Sequence, residues 1–138
     1  MIAGQLSGPL VRRYALAGNA RFTLSSEKTG QRFTYRIRAK DDGAVFFVSL
    51  LAGPDNTSDY RYLGFIREGT YVHGRAKAKI SPDAPSARAF AWFWSHVDAL
   101  PPSCSVFHEG RCGRCNRVLT VPESVSTGLG PECAGRAS

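Results

Sequence analysis

The sequence predicts an α+β protein: a small, mostly antiparallel sheet of four or five strands carrying one long helix, followed by a compact cysteine-bearing unit. Three observations lead there. Between residues 21 and 73, short segments alternate polar and apolar residues, the period of a half-buried strand, and turn residues separate them. Between residues 87 and 99 the apolar residues recur instead at helical spacing. Beyond residue 103 a Cys-x-x-Cys pair, Cys112 and Cys115, is followed by Cys133.

Taken in order, Leu10 to Ala17 lies between Gly8-Pro9 and Gly18-Asn19 and reads as a short helix with Leu10, Tyr14 and Ala17 on one face. Arg21 to Ser25 and Gln31 to Lys40 alternate around Glu27-Lys28-Thr29-Gly30, a turn in which Gly30 takes positive φ. On the second arm Phe33, Tyr35 and Ile37 share one face, and Arg32, Thr34, Arg36 and Arg38 share the other. Ala44 to Leu51 is apolar on both parities, which predicts a central strand buried on both sides. Tyr60 to Arg67 is the next strand, turned by Glu68-Gly69 into Thr70 to His73. Gly74 to Ile80 alternates basic and small residues, as a basic edge or loop would.

Ser81 to Ser86 offers capping residues and prolines ahead of a helix over Ala87 to Ala99. Ala87, Phe90, Phe93, Trp94 and Val97 form the arc that packs on the sheet. Trp92 falls opposite, with Arg88, Ser95 and His96, where it either packs against the cysteine unit or anchors a partner. Pro101-Pro102 is a stiff linker, so the chain divides into a basic α+β domain, residues 1–103, and a second unit, residues 104–138.

The cysteine pattern points to zinc, which takes four nitrogen or sulfur ligands in a tetrahedron. Cys112 and Cys115 straddle the small turn residue Gly113, so both sulfurs can face one ion, and Cys133 supplies a third. Cys104 and His108 are of equal parity on an extended segment, so either could close the site. With Gly110 between it and Cys112, His108 suits a strand that turns straight into the knuckle. The expected set is therefore His108, Cys112, Cys115 and Cys133, with Cys104 a small buried residue or a spare thiol.

Disulfides would need an oxidising compartment, and Met1 to Gln5 lacks the charged start and long apolar run of a secretory leader. A thioredoxin-type redox pair would open a helix, whereas Asn116 to Pro122 reads as a strand. Arg117 to Val121 makes one hairpin arm, Pro122 to Val125 a helical turn that Gly128 ends in a left-handed cap, and Pro131 begins a second turn bearing Cys133. The outline is treble-clef-like, and a closed, cysteine-rich sphere makes the zinc structural.

The run Cys112-Gly113-Arg114-Cys115-Asn116-Arg117-Val118-Leu119-Thr120-Val121-Pro122-Glu123-Ser124, then Gly128-Leu129-Gly130-Pro131-Glu132-Cys133, resembles an uncharacterised zinc-ribbon-like domain common in bacteriophage and actinobacterial proteins. Asn116 stands where that pattern has glycine, and both tolerate a left-handed backbone. The resemblance implies a zinc domain of unknown function and a phage or mobile-element source, and it implies no activity.

A net charge of +7 and a pI near 9.6 indicate an anionic partner. Residues 1–80 hold 13 Lys and Arg against 6 Asp and Glu, so the positive field belongs to the first part of the chain. Arginines alternating along the strand at Arg32, Arg36 and Arg38 repeat at about 7 Å or its multiples, a spacing near that of phosphates on an extended single strand. Their planar forks bind phosphate bidentately and stack on bases. Lys77 and Lys79 can follow a phosphate backbone, and Tyr60 and Tyr62 can stack on bases.

The expected function is a zinc-containing, nucleic-acid-binding accessory protein that contacts DNA or RNA mainly through phosphates. The alternative is a phage-encoded inhibitor that lays the same basic surface on an acidic patch of a host defence protein. An enzyme is not expected: no Ser-His-Asp ordering, paired carboxylates or phosphate-cradling glycine loop is present. No segment reaches the ~18 apolar residues of a membrane helix, so a cytoplasmic location is expected. Zinc stoichiometry of the purified protein tests the ligand set: His108→Ala lowers it and Cys104→Ala leaves it unchanged, whereas equal retention by both overturns the assignment.

Overall fold

Alternation does build the first hairpin. In the computed structural model, which describes residues 5–6, 10–40, 43–54, 59–78, 80–109, 112–113 and 128–129, β2 (Asn19–Ser26) pairs antiparallel with β3 (Arg32–Lys40) around Gly30 at φ 70. Phe22 stands opposite Tyr35 and Ala20 opposite Ile37, and all four are fully buried. β4 (Val45–Leu51), β5 (Tyr60–Arg67) and β6 (Thr70–His73) continue the meander. The last turn places Glu68 at φ 52 and Gly69 at φ 78, two left-handed residues in a row, as tight hairpins between twisted strands require. A bulge interrupts the β4–β5 ladder between Val48 and Ser49, and both Leu63 and Gly64 are buried there.

One helix of substance, α2 (Pro85–Ser95), covers the sheet. Pro85 occupies its first turn, where a missing N–H costs nothing. It ends because Ser95 Oγ donates to the Trp92 carbonyl at 2.8 Å and His96 leaves the helical region, so it is shorter than the expected Ala87–Ala99 span. Phe90 is the centre of its buried face, with ring centroids 5.0 Å from Tyr35, 4.8 Å from Tyr71 and 5.6 Å from Phe93. The Tyr35 hydroxyl donates to the Ser86 carbonyl at 2.7 Å, and Trp94 Nε1–H donates to the Gly69 carbonyl at 2.9 Å, so helix and sheet are tied at both ends. Trp92, on the other side, is 41% exposed and stacks on His96. With Leu24, Phe33, Pro101 and Cys104 it lines a groove of about 550 Å³ where the β2–β3 hairpin runs past the helix.

After α2 the chain returns as β7 (Cys104–His108), which pairs antiparallel with β2 and takes the two-residue β1 (Gln5–Leu6) on its outer side. The strand order is β1-β7-β2-β3-β4-β5-β6, and both edges are short, which limits unwanted pairing. β7 stops at His108, opposite Phe22. Beyond it, Tyr14 of the short helix α1 (Leu10–Ala15) takes over as partner of β2: its hydroxyl donates to the Arg21 carbonyl at 2.7 Å and accepts the Arg21 N–H at 3.1 Å. Burial holds the Tyr14 phenol far above its ordinary pKa, so it stays a donor at any ordinary pH. Next along the same edge, Asn19 N–H donates to the Gly113 carbonyl at 2.6 Å, and Gly113 N–H to the Gly128 carbonyl at 2.8 Å. Both glycines press on the Tyr14 ring, and a methyl group added at Gly113 would stand 2.6 Å from Cε1.

The architecture corrects the sequence expectation in two respects. It is a seven-stranded antiparallel sheet with one real helix, where an α+β protein with four or five strands and a treble-clef-like zinc unit was expected. Residues 104–108 lie within the sheet because Val106 and His108 point inward beside Leu24 and Phe22. Among the described residues no three His, Cys, Asp or Glu come together that could hold a metal. The hairpin and helical turns expected over residues 116–127 lie outside the described residues, as do Cys115 and Cys133, while Gly128 does have the expected positive φ, 74. Residues 75–77, expected as an extended basic edge or loop, form a 3₁₀ turn, with the Arg75 N–H donating to His73 Nδ1 at 2.8 Å and Arg75 at φ 51.

Urea unfolding checks this packing. Phe90→Ala costs about 3–5 kcal/mol, the usual loss for a large ring removed from a core, and Tyr14→Phe about 1–3 kcal/mol for the unpaired Arg21 backbone groups. A Phe90→Ala cost no greater than that of the exposed Arg88→Ala would contradict the placement of α2.

Candidate nucleic-acid interface

The register that buries Phe22, Tyr35 and Ile37 sends the alternate residues to the other face of the sheet. There, cross-strand pairing generates two rows. In one, Arg21 of β2 stands opposite Arg36 of β3, Arg36 opposite Ser49 of β4, and Ser49 opposite Tyr62 of β5. In the next, Arg38 stands opposite Phe47, Phe47 opposite Phe65, and Phe65 opposite Val72 of β6. Each row begins in guanidinium and passes into a ring. The face is thus split lengthwise into a basic half on β2 and β3 and an aromatic half on β4 and β5.

The side chains interlock across that division. Arg36 lies over the Tyr60 ring at 4.4 Å and Arg21 reaches the same ring at 5.8 Å. Lys40 sits 5.2 Å from the Phe47 centroid and Arg67 5.8 Å from that of Phe65, while Phe47 and Tyr62 meet edge to face at 5.9 Å. These cation–π contacts hold the Arg21, Arg36, Arg67 and Lys40 charges close to the rings of the sheet face. Burial lowers the Arg36 pKa from its usual value and the neighbouring Arg38 and Arg21 lower it further, the signature of like charges gathered in a half-covered site. Burial raises the Tyr60 phenol, Glu109 adds to the rise, and Arg21, Arg36 and Arg38 oppose it.

Of the expected contacts, Arg36, Arg38, Tyr60 and Tyr62 come together here. Arg32 is on the same face but at the far end of β3, opposite Ser25, and is exposed. Lys77 is exposed in the 3₁₀ turn beside Tyr62, whose Cε2 would lie 2.5 Å from a methyl group at Gly74. Lys79 lies outside the described residues. Arg21, Phe47 and Phe65 complete the face. Arg21 could have been found from the parity of its own hairpin arm. Phe47 could not, because a segment apolar on both parities does not announce which of its faces is bare.

The expected metal ligands are divided. His108 and Cys112 are both buried and both flank Tyr14: the His108 ring centroid lies 5.7 Å from that of Tyr14, and the Cys112 thiol is among the groups that raise the Tyr14 pKa. Cys104 shares the inward face of β7 with His108, one strand residue of equal parity between them, and opens onto the Trp92 groove. Cys115 and Cys133 lie outside the described residues.

The pattern of a family of unknown function, DUF6011, matches residues 105–138, which takes in β7 and the cysteine-bearing end of the chain. No curated protein and no solved structure matches the chain. No helix among the described residues is long and apolar enough to cross a membrane.

Proposed function

We propose that the protein is a nucleic-acid-binding accessory protein without catalytic activity, and that the open sheet face is the surface that holds the phosphates. One observation carries the reading: Arg21, Arg36 and Arg38 are gathered as cross-strand and same-strand neighbours on a solvent-facing sheet. Like charges opposite one another destabilise a sheet, and a polyanion would turn that repulsion into binding energy by releasing its own counterions. Arginine suits the task because each fork can take two phosphate oxygens. Contacts of this kind carry little sequence information.

Two further parts of the proposal stand apart from the sheet face. The C-terminal motif's resemblance supports a phage or mobile-element source. The joint burial of His108 and Cys112 beside Tyr14 supports structural zinc completed by Cys115 and Cys133, for which the stoichiometry measurement above is the test.

Fluorescence anisotropy of labelled oligonucleotides, titrated with the protein at several salt concentrations, tests the main reading. Affinity falls steeply as salt rises. Arg36→Gln weakens binding about tenfold and makes the log–log salt slope about one unit shallower, while the melting temperature stays level or rises because a like-charge pair has been relieved. Absence of binding at low salt, or binding indifferent to salt and to Arg36→Gln, overturns the proposal and turns attention to an acidic host protein as the partner.

A further inference from the structure

We infer that the nucleic acid taken by this face is single-stranded, with its phosphates along β3 and its bases laid on the rings of β4 and β5. This rests on the nucleic-acid reading just given and adds the strandedness of the ligand. The ground for it is the lengthwise division of the face. Arg21, Arg36 and Arg38 occupy β2 and β3, and Phe47, Tyr62 and Phe65 occupy β4 and β5, in cross-strand rows that each run from charge to ring. Adjacent strands are about 4.8 Å apart, so the guanidinium-bearing β3 and the ring-bearing β5 are separated by about 10 Å. That is the scale of the reach from a phosphate to the far side of its own base.

A duplex would have no use for the second half of the face. Its bases are stacked on one another and turned inward, leaving only phosphates and groove edges for contact, and a sheet built for it would be basic across its width. Here β5 spends three of its outward positions on rings, at Tyr60, Tyr62 and Phe65, and the next, Arg67, lies over the Phe65 ring at 5.8 Å. Unpaired bases stack on such rings regardless of their identity. Within the stripe the roles differ. Tyr60 is already covered by the Arg36 guanidinium at 4.4 Å and holds that fork in place, so it is a positioning residue. Tyr62 is the main platform, steadied by Phe47 edge-on and by the close backbone of Gly74, and Phe65 is the second, its Arg67 guanidinium, 5.8 Å from the centroid, giving way to a base.

The test compares a labelled mixed-sequence oligonucleotide, single-stranded and annealed to its complement, in DNA and RNA forms, titrated against the full chain at one low salt concentration. The unmodified protein is expected to bind the single strand at least about tenfold more tightly than the duplex. Tyr62→Ala and Phe65→Ala each weaken single-strand binding about tenfold without changing duplex binding, Tyr62→Phe restores it, and Arg36→Gln weakens both. Equal affinity for the two forms in the unmodified protein, or ring substitutions without effect in variants whose circular dichroism matches the parent, overturns single-strand stacking and leaves a phosphate-binding face. Failure of both forms to bind overturns the nucleic-acid reading as well.

Discussion

The chemistry of the exposed sheet face hangs on one register, Phe22 opposite Tyr35. It places Phe22 against Phe93 and Tyr35 against Phe90 of α2 and leaves Arg21 facing Arg36 on the other side. A slip of one residue would put guanidinium groups into the core and the largest rings into water, so the apolar side enforces the arrangement of the charged side. The arginines need not attract one another to be held together. Their assembly is imposed by the burial behind them.

That division of labour explains how the sheet tolerates a cluster of like charge. The core ties are specific: Tyr35 to the Ser86 carbonyl, Trp94 to the Gly69 carbonyl and Tyr14 to both backbone groups of Arg21. The open face has softer compensations, guanidinium groups resting on Tyr60 and Phe65 and one nearby carboxylate, Glu109. Cation–π contacts at partly solvated sites are worth only about 0.5–1 kcal/mol each, so such compensations can be exchanged for a ligand without disturbing the fold.

Much of the meander could be read in advance. The β2–β3 hairpin, β5, β6 and the apolar arc of α2 all follow from alternation, turn residues and helical spacing, and the inward set Phe33, Tyr35 and Ile37 was legible from parity. What local patterns do not encode is adjacency between distant segments. Val106 and His108 alternate like any short strand, but nothing in them says that their partners are Leu24 and Phe22. Local patterns therefore undercount the strands and leave Cys104–His108 with the cysteine motif that follows it. The 3₁₀ turn at Arg75–Lys77 was missed for a different reason: the His73 imidazole captures the Arg75 N–H, a side-chain contact that overrides alternation. For the candidate site, the arginine parity was legible, but the pairing of charge with Phe47 and Phe65 required the strand order.

The insertion of β7 between β1 and β2 also sets an order of events in folding. β2 lies inside the finished sheet, yet its neighbour β7 is made only after the whole meander and α2. The meander β2–β6 can zip from hairpin to hairpin while the outer edge of β2 still presents open amide and carbonyl groups. Closing so long a loop is the slow part of forming such a sheet, and an open edge in the meantime is an invitation to pair with another nascent copy. α1 is made before β2, and its Tyr14 can occupy the Arg21 groups as soon as they emerge. The small N-terminal helix is thereby a guard on the unfinished edge as well as a part of the finished one.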